Sequence, residues 1–202
     1  MTMSISAVIL AGGQAKRMEG ADKGLQLLHG KPLFQFIYER LHSQVETISI
    51  NANRNQAIYA TAGVPVFGDN LEGFQGPLSG ILTALERAVS DFVLFVPCDS
   101  PFFPDNLLEK LKSAVDFHGV SIAYVHDGER EHPTFCLMAC SLKGKLAAYL
   151  ASGERRMLQF MRQNGAVSVD FSENKQAFTN INTLADLTYF NQQKDFSGFI
   201  AK

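Results

Sequence analysis

Short β-branched apolar runs alternate along the chain with stretches whose apolar residues recur at helical spacing. The first run, residues 5–9 (ISAVI), stops at Leu10-Ala11-Gly12-Gly13, the pattern of a strand feeding a loop whose backbone must come close to something. Residues 33–41 place Leu33, Phe34, Ile37 and Leu41 on one face behind Pro32, which predicts a helix with proline in its first turn. Alternation over 47–51 predicts a second strand, 56–62 a short helix and 64–67 a third strand. A glycine- and proline-rich loop then leads into a helix over 79–89. The unbroken apolar run 92–96 (FVLFV) predicts a strand buried on both faces. The remaining order is a helix over 104–115, strands over 120–126 and 134–138, a helical stretch over 142–163 broken near Gly153, a strand over 167–171 and a last helix over 183–193.

Strands alternating with helices at this spacing predict an α/β fold with a single doubly wound, mainly parallel sheet. No repeat, linker or low-complexity tract interrupts it, so residues 1–202 read as a single domain. Ligands of such sheets lie beyond the carboxyl ends of the strands. Gly12, Asn51, Asp69 and Asp99 each fall at or just after the end of a predicted strand, which gathers them at one edge.

Composition narrows the ligand. The chain is 46% hydrophobic and 19% charged, with a formal net charge of −2, so no nucleic-acid or membrane partner is expected. No run approaches the roughly 20 apolar residues that cross a bilayer, and the start MTMSISAVIL lacks a basic segment of the secretory kind. Cys98, Cys136 and Cys140 show no C-x-x-C spacing, which suggests neither disulfides nor zinc and predicts a reduced, cytoplasmic setting. Basic groups are concentrated locally instead: Lys16, Arg17 and Lys23 crowd the loop after the first strand. Exposed amides plus clustered cations suit a polyphosphate.

That loop contains neither G-x-x-x-x-G-K-[ST] nor G-x-G-x-x-G, which argues against P-loop hydrolysis and dinucleotide redox chemistry. What remains is Arg17 and Lys23 with an acid, Asp99, across the sheet edge. This set suits displacement at a nucleotide phosphorus: the cations offset charge on the leaving pyrophosphate while the acid holds Mg²⁺ against the phosphates. An aspartate before Ser-Pro is by itself equally a turn residue.

LAGGQAKRMEGADKGL at 10–25, HGKPL, NANR at 51–54, GPLSG at 76–80, PCDSPF at 97–102, HDGEREHPTF at 126–135, SGERRM and NINT occur in one order along nearly the whole chain. Together they resemble the molybdenum cofactor guanylyltransferase (MobA) family. The resemblance implies a Rossmann-like nucleotidyltransferase fold and transfer of GMP from GTP to molybdopterin-bound molybdenum cofactor, with Mg²⁺ and release of pyrophosphate. It implies that Leu10, Ala11, Gly12, Gly13, Lys23, Asn51, Asp69, Gly76, Pro77, Gly80 and Asp99 bind the nucleotide. Arg17, Lys23 and Asp99 are then catalytic, Asp99 is the metal ligand, and Asn180 and Asn182 lie beside the acceptor. Proteins that deliver the pterin or accept the product are further implied partners. Glu19 stands where related sequences commonly have glycine, and an acid there should point outward. His126 and His132 flank a polar hairpin and read as surface or acceptor-contact residues rather than bases; Arg155 and Arg156 read as steering the pterin or as a solvated helix face. The alternatives are a relative that uses CTP or a sugar phosphate acceptor, and a binding protein without catalysis. Gly12, where cytidylyl relatives carry alanine, favours a purine by leaving room at the backbone.

Overall fold

The computed structural model describes residues 3–13, 21–73, 75–196 and 199. Lys16, Arg17 and Glu19 lie outside the described residues. In chain order the strands are β1 (Ile5–Leu10), β2 (Leu27–Leu28), β3 (Lys31–Pro32), β4 (Ile48–Asn51), β5 (Val66–Phe67), β6 (Phe92–Pro97), β7 (Ile122–His126), β8 (Glu131–Ala139) and β9 (Val167–Asp170). The helices are α1 (Leu33–His42), α2 (Gln56–Tyr59), α3 (Pro77–Arg87), α4 (Leu107–His118), α5 (Lys143–Ala151), α6 (Met157–Gln163) and α7 (Leu184–Gln192).

Among the described residues, seven strands form one sheet in the order β5-β4-β1-β6-β8-β7-β9, and β2 and β3 form a separate hairpin. Every pairing in the large sheet is parallel except those of β8, which runs against both β6 and β7. From β1 the chain builds outward through β4 and β5, then returns to place β6 on the other side of β1. Leu10 and Pro97 are the last paired residues at this switch point, and a crevice opens beyond them.

The two faces of the sheet are covered as the alternation requires. Ala7 and Ile9 of β1, with Leu94 and Val96 of β6, pack under Phe34, Ile37 and Leu41 of α1 and Leu107, Leu111 and Val115 of α4. Val8, Val93 and Phe95 pack on the opposite face under α3, α5 and α6. Val93 to Val96 are fully buried, each side chain contributing about 1.5–3 kcal/mol by leaving water. A third cluster, Leu28, Leu33, Phe102, Ile181 and Phe190, holds α7 and the β2–β3 hairpin beside the segment that follows Asp99.

The predicted elements are present, and their shifts have local causes. α3 begins at Pro77, because Gly76 (φ 75°) turns the loop and proline takes the first helical position. α4 begins and ends later than expected: residues 104–106 form a turn closed by Leu107 N–H to the Pro104 carbonyl (3.1 Å), and Gly119 (φ 63°) ends the helix. The β2–β3 hairpin is not foreseen; His29 (φ 48°) and Gly30 (φ 79°) make its two-residue turn. β8 is longer than its apolar core suggests. Tyr124 pairs with Cys136 but Val125 pairs with His132, so Pro133-Thr134-Phe135 bulge from the strand, accommodating a proline that cannot donate to the ladder.

Candidate active site

A cavity of about 350 Å³ opens above the switch point. Leu10, Gly12, Gly13, Asn51, Asp69, Gly76, Pro77 and Gly80 line it, as does Pro97. Asn51, at the end of β4, is nearly buried and donates through Nδ2 to Asp69 Oδ1 (2.8 Å). Its Oδ1 fits between two glycines. A Cβ at Gly80 would lie 2.2 Å from that oxygen, and one at Gly12 would lie 3.2 Å from it and 2.9 Å from Asn53 Nδ2. Gly12 therefore makes room for two asparagine side chains, a purpose that the sequence reading does not foresee. Asn53 completes the frame: Nδ2 donates to the Gly12 carbonyl (3.4 Å) and Oδ1 accepts the Asp69 N–H (2.8 Å).

Ala11 is placed differently from its neighbours. Its side chain belongs to the hydrophobic core and its N–H donates to the Asn51 carbonyl (2.8 Å), so it supports the cavity without lining it. The sequence reading does not single out Asn53, Gln75 or Thr134. Gln75 is held by Arg155, whose Nε donates to Gln75 Oε1 (2.6 Å) and whose Nη1 donates to the Leu150 carbonyl (2.8 Å). Arg155 is thus engaged in bracing the segment that carries Gln75.

Beside this cavity a polar cluster joins distant parts of the chain. Lys23 Nζ donates to Asp99 Oδ2 (3.0 Å) and to Asn182 Oδ1 (2.5 Å). The Ser100 hydroxyl lies 2.7 Å from Asn180 Oδ1 and 3.2 Å from Asp99 Oδ1. Ile181 N–H donates to the Asp99 carbonyl (2.7 Å), which fixes the NINT segment against PCDSPF. Lys23 is itself anchored by its neighbour. Buried Asp22 accepts Tyr59 Oη (2.5 Å) and Asn55 Nδ2 (3.1 Å), with Arg54 Nε at 4.0 Å. Burial, then the charges of Cys98 and Asp22 with the Asp22 hydrogen bond, push the Tyr59 phenol far up, so it stays a donor. Cys98 adjoins Asp99, yet burial and then the nearby carboxylates push its thiol up too, the opposite of the shift that activates a cysteine.

A second pocket, of about 490 Å³, lies on the far side of this cluster. Asn180, Asn182, Thr179, His132 and Thr134 contribute to its wall. Thr134, carried out of register by the β8 bulge, lines both pockets.

Asp99 presents a single carboxylate, already paired with Lys23. Among the described residues no group of three or more His, Cys, Asp or Glu side chains forms a cage. A lone carboxylate is compatible with Mg²⁺, which is commonly held by one or two carboxylates plus substrate phosphates. No helix among the described residues is long and apolar enough to cross a membrane.

The open α/β sheet with a crevice at its switch point is an architecture suited to nucleotides, and comparison with known proteins places the chain among the nucleotidyltransferases. The MobA-like NTP transferase domain family model matches residues 7–167. The chain is 70% identical to the molybdenum cofactor guanylyltransferase of Mannheimia succiniciproducens over 187 residues, covering 93% of this chain and 98% of that protein. It is 44% identical to the one from Yersinia pestis over 198 residues, covering 96% and 98%. The solved molybdopterin-guanine dinucleotide biosynthesis protein A of Archaeoglobus fulgidus superposes with a TM-score of 0.77 at 22% identity, over 93% of this chain and 97% of that one. A 4-diphosphocytidyl-2C-methyl-D-erythritol synthase from Anaerococcus prevotii shares the fold with a TM-score of 0.72 at 13% identity, over 94% and 95%. The chain is an enzyme and belongs to the molybdenum cofactor guanylyltransferase (MobA) family.

Proposed function

We propose that the enzyme transfers GMP from GTP to molybdopterin-bound molybdenum cofactor and releases pyrophosphate, as a single nucleotidyltransferase domain acting in the cytoplasm. The observation that carries this reading is the Lys23–Asp99–Asn182 cluster standing between two pockets that share Thr134. One pocket takes the nucleoside, the other the acceptor, and the triphosphate lies between them.

The acceptor's phosphate oxygen attacks the α-phosphorus of GTP in line. A new P–O bond forms as the bond to the bridging oxygen of the β-phosphate breaks, and pyrophosphate leaves with that electron pair. The nucleophile is already anionic, so no general base is needed. Lys23 offsets charge on the phosphates from a position fixed by Asp22, and Arg17, outside the described residues, is assigned the same role by the family motif. Asp99, together with the phosphates, would hold Mg²⁺, which when bound draws electron density from the phosphorus. Asn51 and Asp69, locked to each other, meet the nucleoside. Clamps on transition-state charge of this kind are worth about 3 kcal/mol or more each.

Incubating the protein with Mg²⁺, molybdenum cofactor and each α-labelled nucleoside triphosphate tests the reading. Label from GTP is expected in the dinucleotide product, with stoichiometric pyrophosphate. Preferential transfer from CTP would overturn it.

A further inference from the structure

The second pocket has a distinctive balance of polar groups. Its carboxylates are already engaged. Asp127 Oδ1 accepts the N–H groups of Glu129 (2.8 Å) and Arg130 (2.7 Å), while Oδ2 lies 2.7 Å from His132 Nε2. Burial alone would raise the Asp127 carboxyl, but the imidazole and the two amides outweigh it and hold it at about 2. Glu131 accepts the Tyr124 hydroxyl (2.6 Å) and Arg162 Nη2 (2.7 Å). What the pocket leaves free are donors. Asn182 Oδ1 accepts from Lys23 and Asn180 Oδ1 from Ser100, so neither amide NH₂ group is taken up by a described residue.

His132 adds a third. Its ring is wedged against Phe178 (centroids 5.5 Å apart) and Phe135 (6.5 Å), which with Asp127 fixes its orientation. With Nε2 facing the Asp127 carboxylate, Nδ1 is the ring nitrogen left for a ligand, and it donates in the imidazolium form. That Nδ1 makes no hydrogen bond to a described residue. The other charged or titratable groups on the surrounding elements are His126, Glu129, Arg130, Glu131 and Lys175; Lys175 pairs with Glu129, and Glu131 with Arg162. Donors without free carboxylates match a phosphate monoester dianion and reject a cation.

We propose that His132, clamped by Asp127, binds the acceptor's phosphate monoester through Nδ1 and, with the amides of Asn180 and Asn182, presents it toward Lys23 and Asp99. The assignment rests on the guanylyl-transfer reading. His132 orients the nucleophile and takes no part in bond making.

Steady-state transfer by the full-length protein tests this with two isosteric variants. In His132→Gln the amide reaches Asp127 as Nε2 does but offers nothing at Nδ1. In His132→Asn the amide sits near Nδ1 and gives up Asp127. His132→Gln is expected to leave Tm and the KM for GTP nearly unchanged and to raise the acceptor KM about 10- to 100-fold, as for loss of a charged hydrogen bond. His132→Asn is expected to recover part of that loss despite a lower Tm. A structural role alone gives the reverse, with glutamine matching wild type and asparagine impaired, and that ranking would overturn the proposal. If either variant does not fold, ¹⁵N-histidine spectra of the wild type decide. The His132 Nδ1 resonance is expected to move when acceptor is added and to stay put with GTP alone; an unmoved resonance overturns the proposal. Transfer of CMP by the wild type would contradict the nucleotide assignment, while the acceptor KM ranking would still decide His132.

Discussion

The two pockets that meet at Thr134 are built by different means. The side proposed for the nucleotide is built on glycines: Gly12 and Gly80, where an added Cβ would meet Asn51, let the end of β1 and the start of α3 close on that side chain, and Gly13 and Gly76 line the same cavity. The acceptor side is made of side chains on a bulged antiparallel strand and on the 179–182 segment, held by hydrogen bonds to side-chain carboxylates and amides. Gly12 and Gly80 tolerate almost no added volume, whereas a side-chain-built wall can be altered one polar group at a time. Substitutions on the first side should therefore act through shape, and those on the second through individual hydrogen bonds.

The largest effect should come from the cluster between the two. Asp99→Ala removes the partner of Lys23 and the candidate Mg²⁺ ligand, and kcat is expected to fall by about 1,000-fold. GTP binding measured by calorimetry should weaken much less, because the Asn51–Asp69 pair is untouched; an equal loss of binding and turnover would mean that Asp99 serves only affinity.

Gly80→Ala comes next. The new methyl would stand 2.2 Å from Asn51 Oδ1, and relieving such overpacking typically costs about 1–3 kcal/mol. The KM for GTP should rise by about 5- to 150-fold with the acceptor KM unchanged. Equal rises in both constants would erase the distinction between the pockets.

The smallest effect lies on the acceptor side and shows only in acid. The Asp127 carboxyl sits at about 2 in the folded protein against a usual 3.8. A depressed carboxyl contributes stability that is fully present above pH 3.8 and is lost as pH falls through 2. Its share is at most about 2 kcal/mol. Urea unfolding at stepped pH should show the stability gap between wild type and Asp127→Asn closing between about pH 4 and pH 2. A gap that stays constant would remove Asp127 as the clamp of His132.

The same contrast explains what could be read from the chain. Gly12, Asn51, Asp69 and Asp99 were legible because a parallel sheet places every strand end at one edge, and strand ends show in apolar periodicity. Gly12 was legible as a position but not in its purpose, since the atoms that need its missing Cβ belong to Asn51 and Asn53 of another strand. Thr134 was hidden because nothing in HPTF announces a bulge that carries it into both pockets. The contact of Lys23 with Asn182 spans 159 residues and depends on Ile181 docking to Asp99, a tertiary event with no local pattern. Residues placed by the sheet rule are readable; residues placed by packing of the C-terminal segment are not.

The assignment of the two pockets is tested most directly by crystals grown with GTP and Mg²⁺. Guanine is expected in the cavity beside Leu10, Gln75 and Gly80, with the triphosphate running toward Lys23 and Asp99. Guanine in the His132 pocket, or a triphosphate pointing away from Lys23, would contradict the assignment.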